Sequence, residues 1–221
     1  MKQITLEDVK NHPHVKVFLK KADDHMKAIG YTEHGYRHAG IVAKTASEIL
    51  NKLGRGPREA ELAAISGYMH DIGNVTGRYD HGQVSAMIAK DILFDMGMEP
   101  EEVAIIIGAL GNHEEPEADP VNVPCAALIV ADKADVHLSR VRNPRMIAFD
   151  IHDRVNYAVK KSYVNVDRKN RSIALIIQID TKVSQVMEYF EIFLSRMIIS
   201  RRAADFLKCN FNLVINKVKL L

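Results

Sequence analysis

Apolar residues recur every three or four positions through most of the first 160 residues, the spacing of helices that each bury one face. ITLEDVK offers Thr5 as an N-cap, with acidic residues in the turn that follows. Pro13 suits a first helical turn; Val15, Phe18, Leu19 and Ala22 then share a face, and Gly30 marks an end. Thr32 is a candidate cap for a second helix, whose Ile41, Val42, Thr45, Ile49 and Leu53 keep the period as far as Gly54. Pro57 opens a third, where Ala60, Ala63, Ala64 and Gly67 are small enough for close packing, and the helix is expected to run out at Gly73. A fourth carries Val84, Met87, Ile88, Ile92 and Phe94 to Gly97, and EPEEVAIIIGAL forms a fifth. VPCAALIVADKADVHL is so apolar that it predicts a helix at the centre of a bundle.

The texture changes after NPRMIAFDIHDRVNYAVKKS. In YVNVDRKNRSIALIIQID, β-branched residues alternate on both sides of a polar turn, which predicts a strand hairpin. A long helical segment, KVSQVMEYFEIFLSRMIISRRAADFL, precedes the strand-like NFNLVINKVKLL. The expected fold is therefore mainly α: a helical domain over 1–161 and a small α/β addition over 162–221, made of a strand hairpin, a long helix and a terminal strand. No internal repeat or low-complexity tract interrupts it.

Composition narrows the function only a little. Thirty Lys and Arg against 28 Asp and Glu leave a net charge of +2, too balanced for nucleic acid or an anionic membrane as the main partner. Arg196, Arg201, Arg202, Lys208, Lys217 and Lys219 crowd the C-terminal end and read as a solvated face. Cys125 and Cys209 lie far apart with no CxxC pairing, which fits a reducing compartment. With no apolar signal core near residue 1 and no apolar run of about 20 residues, a cytoplasmic protein is expected. Self-association stays open.

Ten histidines are the exception. Several fall where a helix should present an apolar residue: His38, His70 beside Asp71, His81 and His113, joined by Asp132 inside the most apolar helix. A buried carboxylate such as Asp132 requires a cation or a metal, and an ion pair with Lys133 would also serve. Adjacent helical residues diverge by about 100°, so His70 and Asp71 converge on one point only near a helix end. Imidazole and carboxylate together suit a first-row divalent ion, although a capping His beside a surface Asp is an equally simple account of the pair alone. His12, His14, His25, His137 and His152 share no such pattern.

The order His38, His70-Asp71, Asp132, one set per helix, resembles the HD-domain superfamily of metal-dependent phosphohydrolases. HGYRHAGIVAKTA, SGYMHDIGN, DHGQVSAMIA, IGALGNHEE and LIVADKADVHLSRVR resemble its successive helices across residues 32–142. The resemblance implies a helical bundle in which these four residues hold a divalent metal. His81 and His113 match the positions that take a second ion in two-metal members, with Asp71 bridging. His34, four residues before His38, is expected on the same helical face and is a candidate substrate contact.

The implied activity is hydrolysis of a phosphoester or phosphoanhydride of a nucleotide or related small molecule, through a hydroxide on one or two ions of Fe, Mn, Co, Ni or Mg. Asp71 would bridge or orient, Lys133 would neutralise developing charge, and Arg140 and Arg142 would contact substrate phosphate. Asn74 stands where many two-metal relatives carry lysine, and no GYP motif follows. The pattern is thus closer to small HD enzymes that cleave nucleotides or dinucleoside polyphosphates than to cyclic-dinucleotide phosphodiesterases. The alternative is a non-catalytic HD protein that senses metal or nucleotide, with the α/β addition serving partner contact.

Overall fold

The computed structural model describes residues 3–114 and 119–221. The expected loop EEPEADPVN lies partly outside them, since Glu115 to Ala118 are not described. Nine α-helices and four strands follow in order among the described residues. Helix α1 (Leu6–Asn11) starts at Thr5, whose hydroxyl accepts from the Asp8 amide while the Asp8 carboxylate accepts from the Thr5 amide. Helix α2 (Pro13–Ala28) has its proline in the first turn and buries Val15, Leu19, Ala22 and Met26.

Helix α3 (Tyr36–Leu53) begins at Gly35, not at Thr32, and closes on Gly54 in the left-handed conformation that favours glycine. Helix α4 (Pro57–Met69) packs on α3 through its small residues. A Cβ at Gly67 would stand 2.8 Å from the Ala43 backbone, so glycine sets how closely the two helices approach. Helix α4 stops earlier than Gly73: His70 is its last residue in helical geometry and Asp71 leaves it at φ −99°, ψ 2°. A 3₁₀ turn over Ile72–Val75 follows. Gly73 is needed for another reason, because a Cβ there would meet the His81 carbonyl at 2.2 Å.

Helix α5 (His81–Asp95) buries Ser85, Ala89, Ile92 and Leu93, while Met87 and Phe94, expected on the inner face, are exposed. Helix α6 (Pro100–Gly111) leads to α7 (Val123–Ala134), capped by Asn122 and buried along nearly its whole length against α3, α4 and α6. The helix ends at Ala134, short of His137, which instead starts a 3₁₀ turn over Leu138–Arg140.

Helix α8 (Ile151–Ala158) runs directly into β1 (Val159–Asp167), which pairs antiparallel with β2 (Ser172–Ile179). Helix α9 (Val186–Phe206) carries the chain back so that β3 (Asn210–Ile215) lies parallel to β2. The terminal segment is two strands, since Asn216 and Lys217 at φ 49° and 70° form a tight turn into β4 (Val218–Lys219), antiparallel to β3. Tyr189, Phe193 and Met197 of α9 are buried in the same core as α7. None of the described helices is long and apolar enough to cross a membrane.

The α3–α4 contact gives a paired test. Gly67→Ala should destabilise the protein by about 1–3 kcal/mol through overpacking. Gly40→Ala, mid-helix in α3 where a Cβ would meet no atom within 4 Å, should stabilise it by roughly 0.5–1 kcal/mol. Urea unfolding midpoints check both; equal shifts would contradict the close-approach account.

Candidate metal centre

Six residues from five elements meet inside the bundle. His38 comes from the first turn of α3, His70 and Asp71 from the end of α4, His81 from the start of α5, His113 from just beyond α6, and Asp132 from the last turn of α7. All six are buried, and Asp71 is only 2% exposed. His38 Nε2 lies 3.2 Å from His70 Nε2, 3.3 Å from an Asp132 carboxylate oxygen and 3.4 Å from Asp71 Oδ2. His70 Nε2 is 3.1 Å from the same Asp71 oxygen. On the other side of Asp71, Oδ1 is 3.3 Å from His81 Nε2, which faces His113 Nε2 at 3.3 Å. Three groups could each hold an ion: His38–His70–Asp71, His70–His113–Asp132 and Asp71–His81–His113, every donor atom within 4.8 Å of its fellows.

The outer ring nitrogens fix the chemistry of the inner ones. His38 Nδ1 meets Asp135 Oδ2 at 2.7 Å, His70 Nδ1 the Gly67 carbonyl at 2.9 Å, and His113 Nδ1 the Leu110 carbonyl at 2.6 Å. His81 Nδ1 meets the Arg78 carbonyl at 3.1 Å and the Glu114 carboxylate. Carbonyl and carboxylate oxygens only accept, so each Nδ1 carries the proton and each Nε2 turns a lone pair inward. Two such lone pairs facing each other at 3.2 Å repel unless a positive charge lies between them. Asp71 Oδ2 is buried with no hydrogen-bond partner among the described residues, the other mark of a place for a cation. The donor set fits a divalent metal: imidazole and carboxylate without thiolate.

Where no ion is bound, protons on the inner nitrogens stand in for it. Burial alone would push His70 down, but the Asp71 and Asp132 carboxylates outweigh it and raise its pKa to about 10, so the site demands a positive charge at that ring. Burial opposes ionisation of Asp71, yet the imidazoles of His70 and His81 hold it well below the usual carboxylate range. Asp132 behaves alike, with Lys133 the main cation against its burial. His113 is pushed well down by burial and by its neighbours His81 and His70.

Of the other expected residues, Lys133 is in the site: it is buried and its Nζ donates to Asp132 Oδ2 at 2.7 Å. His34 reaches it too, its ring centroid 5.6 Å from that of His38, but from the loop before α3 and not from a shared helical face. Arg140 is buried and holds that loop, donating to the Glu33 and Asp135 carbonyls. The structure does not bring Arg142 to the centre; its guanidinium is taken by Asp23 and by the carbonyls of Tyr31 and Thr32.

Asp135, Arg78 and Asn74 join the site although none of them is a ligand or substrate contact expected from the sequence. Asp135 orients His38 and binds Arg37 at 2.9 Å; burial opposes its ionisation, but His38, Arg140 and Arg37 together hold it well below the usual carboxylate range. Arg78 Nη1 is 3.2 Å from His81 Nε2 and 3.7 Å from Asp71, while Nη2 pairs with Glu114 at 2.6 Å. Asn74 is buried and donates to Asp71 Oδ1 at 2.8 Å. Its own carbonyl lies 3.0 Å from His25 Nδ1 of α2. Asp135 alone could have been found from sequence, one turn past Ala131 on the apolar helix.

Residues 35–138 match the family model of the HD domain, and they contain all six convergent residues. The chain carries an HD domain. It is similar to the crystal structure of a predicted HD superfamily hydrolase from an uncultured Thermotogales bacterium, at 24% identity over 58% of this chain and 71% of that one, with a TM-score of 0.44. No curated protein matches the chain.

The carboxylate behind His38 is directly testable. Asp135→Asn keeps shape but weakens the hold on the Nδ1 proton, and should lower divalent-metal affinity by about 10- to 100-fold. Competition titration with a chromophoric chelator measures it; unchanged affinity would remove Asp135 from the account.

Proposed function

We propose that the protein is a metal-dependent phosphohydrolase acting on a small, nucleotide-like phosphorylated molecule. The observation that supports this best is the row of four inward Nε2 lone pairs along Asp71 and Asp132, continuous through His34 and Arg78 with a polar cavity. His38, His70, Asp71 and Asp132 would hold one divalent ion, and Asp71, His81 and His113 a second. Fe, Mn, Co, Ni or Mg bound there supplies a Lewis acid that polarises a phosphoryl oxygen and acidifies water.

The chain's own residues supply the rest. Lys133, beside Asp132, and Arg78, beside Asp71, neutralise negative charge growing on the phosphoryl oxygens. Burial strengthens each of these interactions by lowering the local dielectric. His34 Nδ1 donates to the Thr32 carbonyl at 2.7 Å, and burial with the Arg140 charge holds the ring neutral, so its Nε2 accepts a hydrogen bond from a substrate hydroxyl or water. Asp71 lies between the two histidine pairs, with Oδ2 beside His38 and His70 and Oδ1 beside His81. Arg78 lies against the His81 and Asp71 atoms that would take the second ion, so it competes with that ion for them.

Purified protein should carry a divalent metal and release phosphate from some member of a nucleotide and sugar-phosphate panel with Mn or Fe. Asp71→Asn should lower kcat on the order of a thousandfold. Metal-loaded protein that releases no phosphate from any member would overturn the hydrolase reading. So would turnover that survives Asp71→Asn unchanged.

A further inference from the structure

A cavity of about 290 Å³ opens beside the metal centre, sharing His34 and Arg78 with it. Its remaining walls come from distant parts of the chain: Arg140 after α7, Asp150 and Asp153 at the start of α8, and Phe193 and Arg196 from α9. Arg196, expected on a solvated basic face, is half-buried, and its guanidinium lies 4.3 Å from the centroid of the Phe193 ring. Phe193 is fully buried, so the guanidinium rests on an immobile platform. The α/β addition therefore furnishes one wall of the pocket that the HD residues open onto.

That wall creates a like-charge arrangement. Arg140 from after α7 and Arg196 from α9 line the same cavity, and Arg78 lines it from the side of the metal centre. Arg140 is fixed at the cavity wall by the Glu33 and Asp135 carbonyls, with the Asp135 carboxylate 4.0 Å from its Nε. Asp150 is engaged at the helix start, accepting from the His152 and Asp153 amides. Guanidiniums lining one cavity are stabilised by an anion between them, and the Asp153 carboxylate, which lines the same cavity, suits a hydroxyl donor.

We propose that this cavity binds a second anionic group of the substrate, held between Arg140 and Arg196, while the phosphate to be hydrolysed lies at the Asp71–Asp132 cluster. The substrate class is thus a hydroxyl-bearing molecule with two anionic groups, and Arg196 of α9 is its specificity residue. This rests on the phosphohydrolase reading for the role of the first phosphate, but the second-anion site is measurable by binding alone.

The test compares glycerol 1,3-bisphosphate with glycerol 1-phosphate on the full-length, metal-loaded protein by isothermal titration calorimetry. The bisphosphate should bind at least about tenfold more tightly, as one charge-assisted contact allows. Arg196→Ala should reduce that advantage to within about threefold, leaving metal content and monophosphate affinity unchanged, and Arg196→Lys should restore part of it. Should the alanine variant fail to fold, Arg196→Gln and the lysine variant carry the same comparison. No advantage for the bisphosphate, or an advantage that survives loss of the Arg196 charge, overturns the proposal. Arg196-dependent binding without phosphate release from either ligand or from the wider panel sinks the hydrolase reading alone, whereas turnover with no Arg196 dependence sinks the second-anion site alone.

Discussion

Four imidazole lone pairs and an unpartnered carboxylate oxygen are held together out of water, and this is the constraint on which the rest of the molecule depends. Left without a positive charge, such a cluster would be costly, because lone pairs face each other and Asp71 Oδ2 has no donor among the described residues. The acceptors that aim the rings come from helix ends and turns: the Gly67 and Leu110 carbonyls, the Arg78 carbonyl and the Asp135 carboxylate. Helix ends are where backbone carbonyls lie free of the internal ladder. The bundle therefore brings its termini, not its middles, to one point.

The packing of α4 and α5 follows from the same demand. Gly67 lets α3 and α4 close up, which sets His38 against His70. Gly73 lets the start of α5 approach the 3₁₀ turn, and Ser85 locks that approach by accepting from the Gly73 amide and donating to the His70 carbonyl. A carbonyl left over where α4 stops is thus satisfied by the next helix, and His81 is delivered beside Asp71.

The helices, the hairpin and the six convergent residues were legible because each leaves a local mark: a period, a cap, or a polar letter in an apolar run. Asp132 stood out for that reason. What could not be read is set by contacts between segments far apart in sequence. His34 was expected on the His38 face by helical spacing, but Gly35 starts the helix after it, and a loop strapped by Arg140 and Arg142 brings it near. Arg142 looked like a phosphate contact and is consumed in that strap. Arg196 looked solvated, since nothing in its neighbourhood shows that α9 packs on α7 and turns it toward the cavity. Helical geometry in α4 ends at His70, three residues before Gly73, because the glycine's lack of a Cβ serves an inter-helix approach and is not a stop signal.

The central claim is that inward Nε2 atoms, aimed by protonated Nδ1 atoms, exist to hold a cation. Anomalous diffraction at the absorption edge of the bound metal, in crystals of the purified protein, tests it most directly. The account predicts an ion bonded to Nε2 of His38 and His70 and to carboxylate oxygens of Asp71 and Asp132. An ion bonded elsewhere, or an anomalous map with no peak among these residues after incubation with Mn, would contradict it.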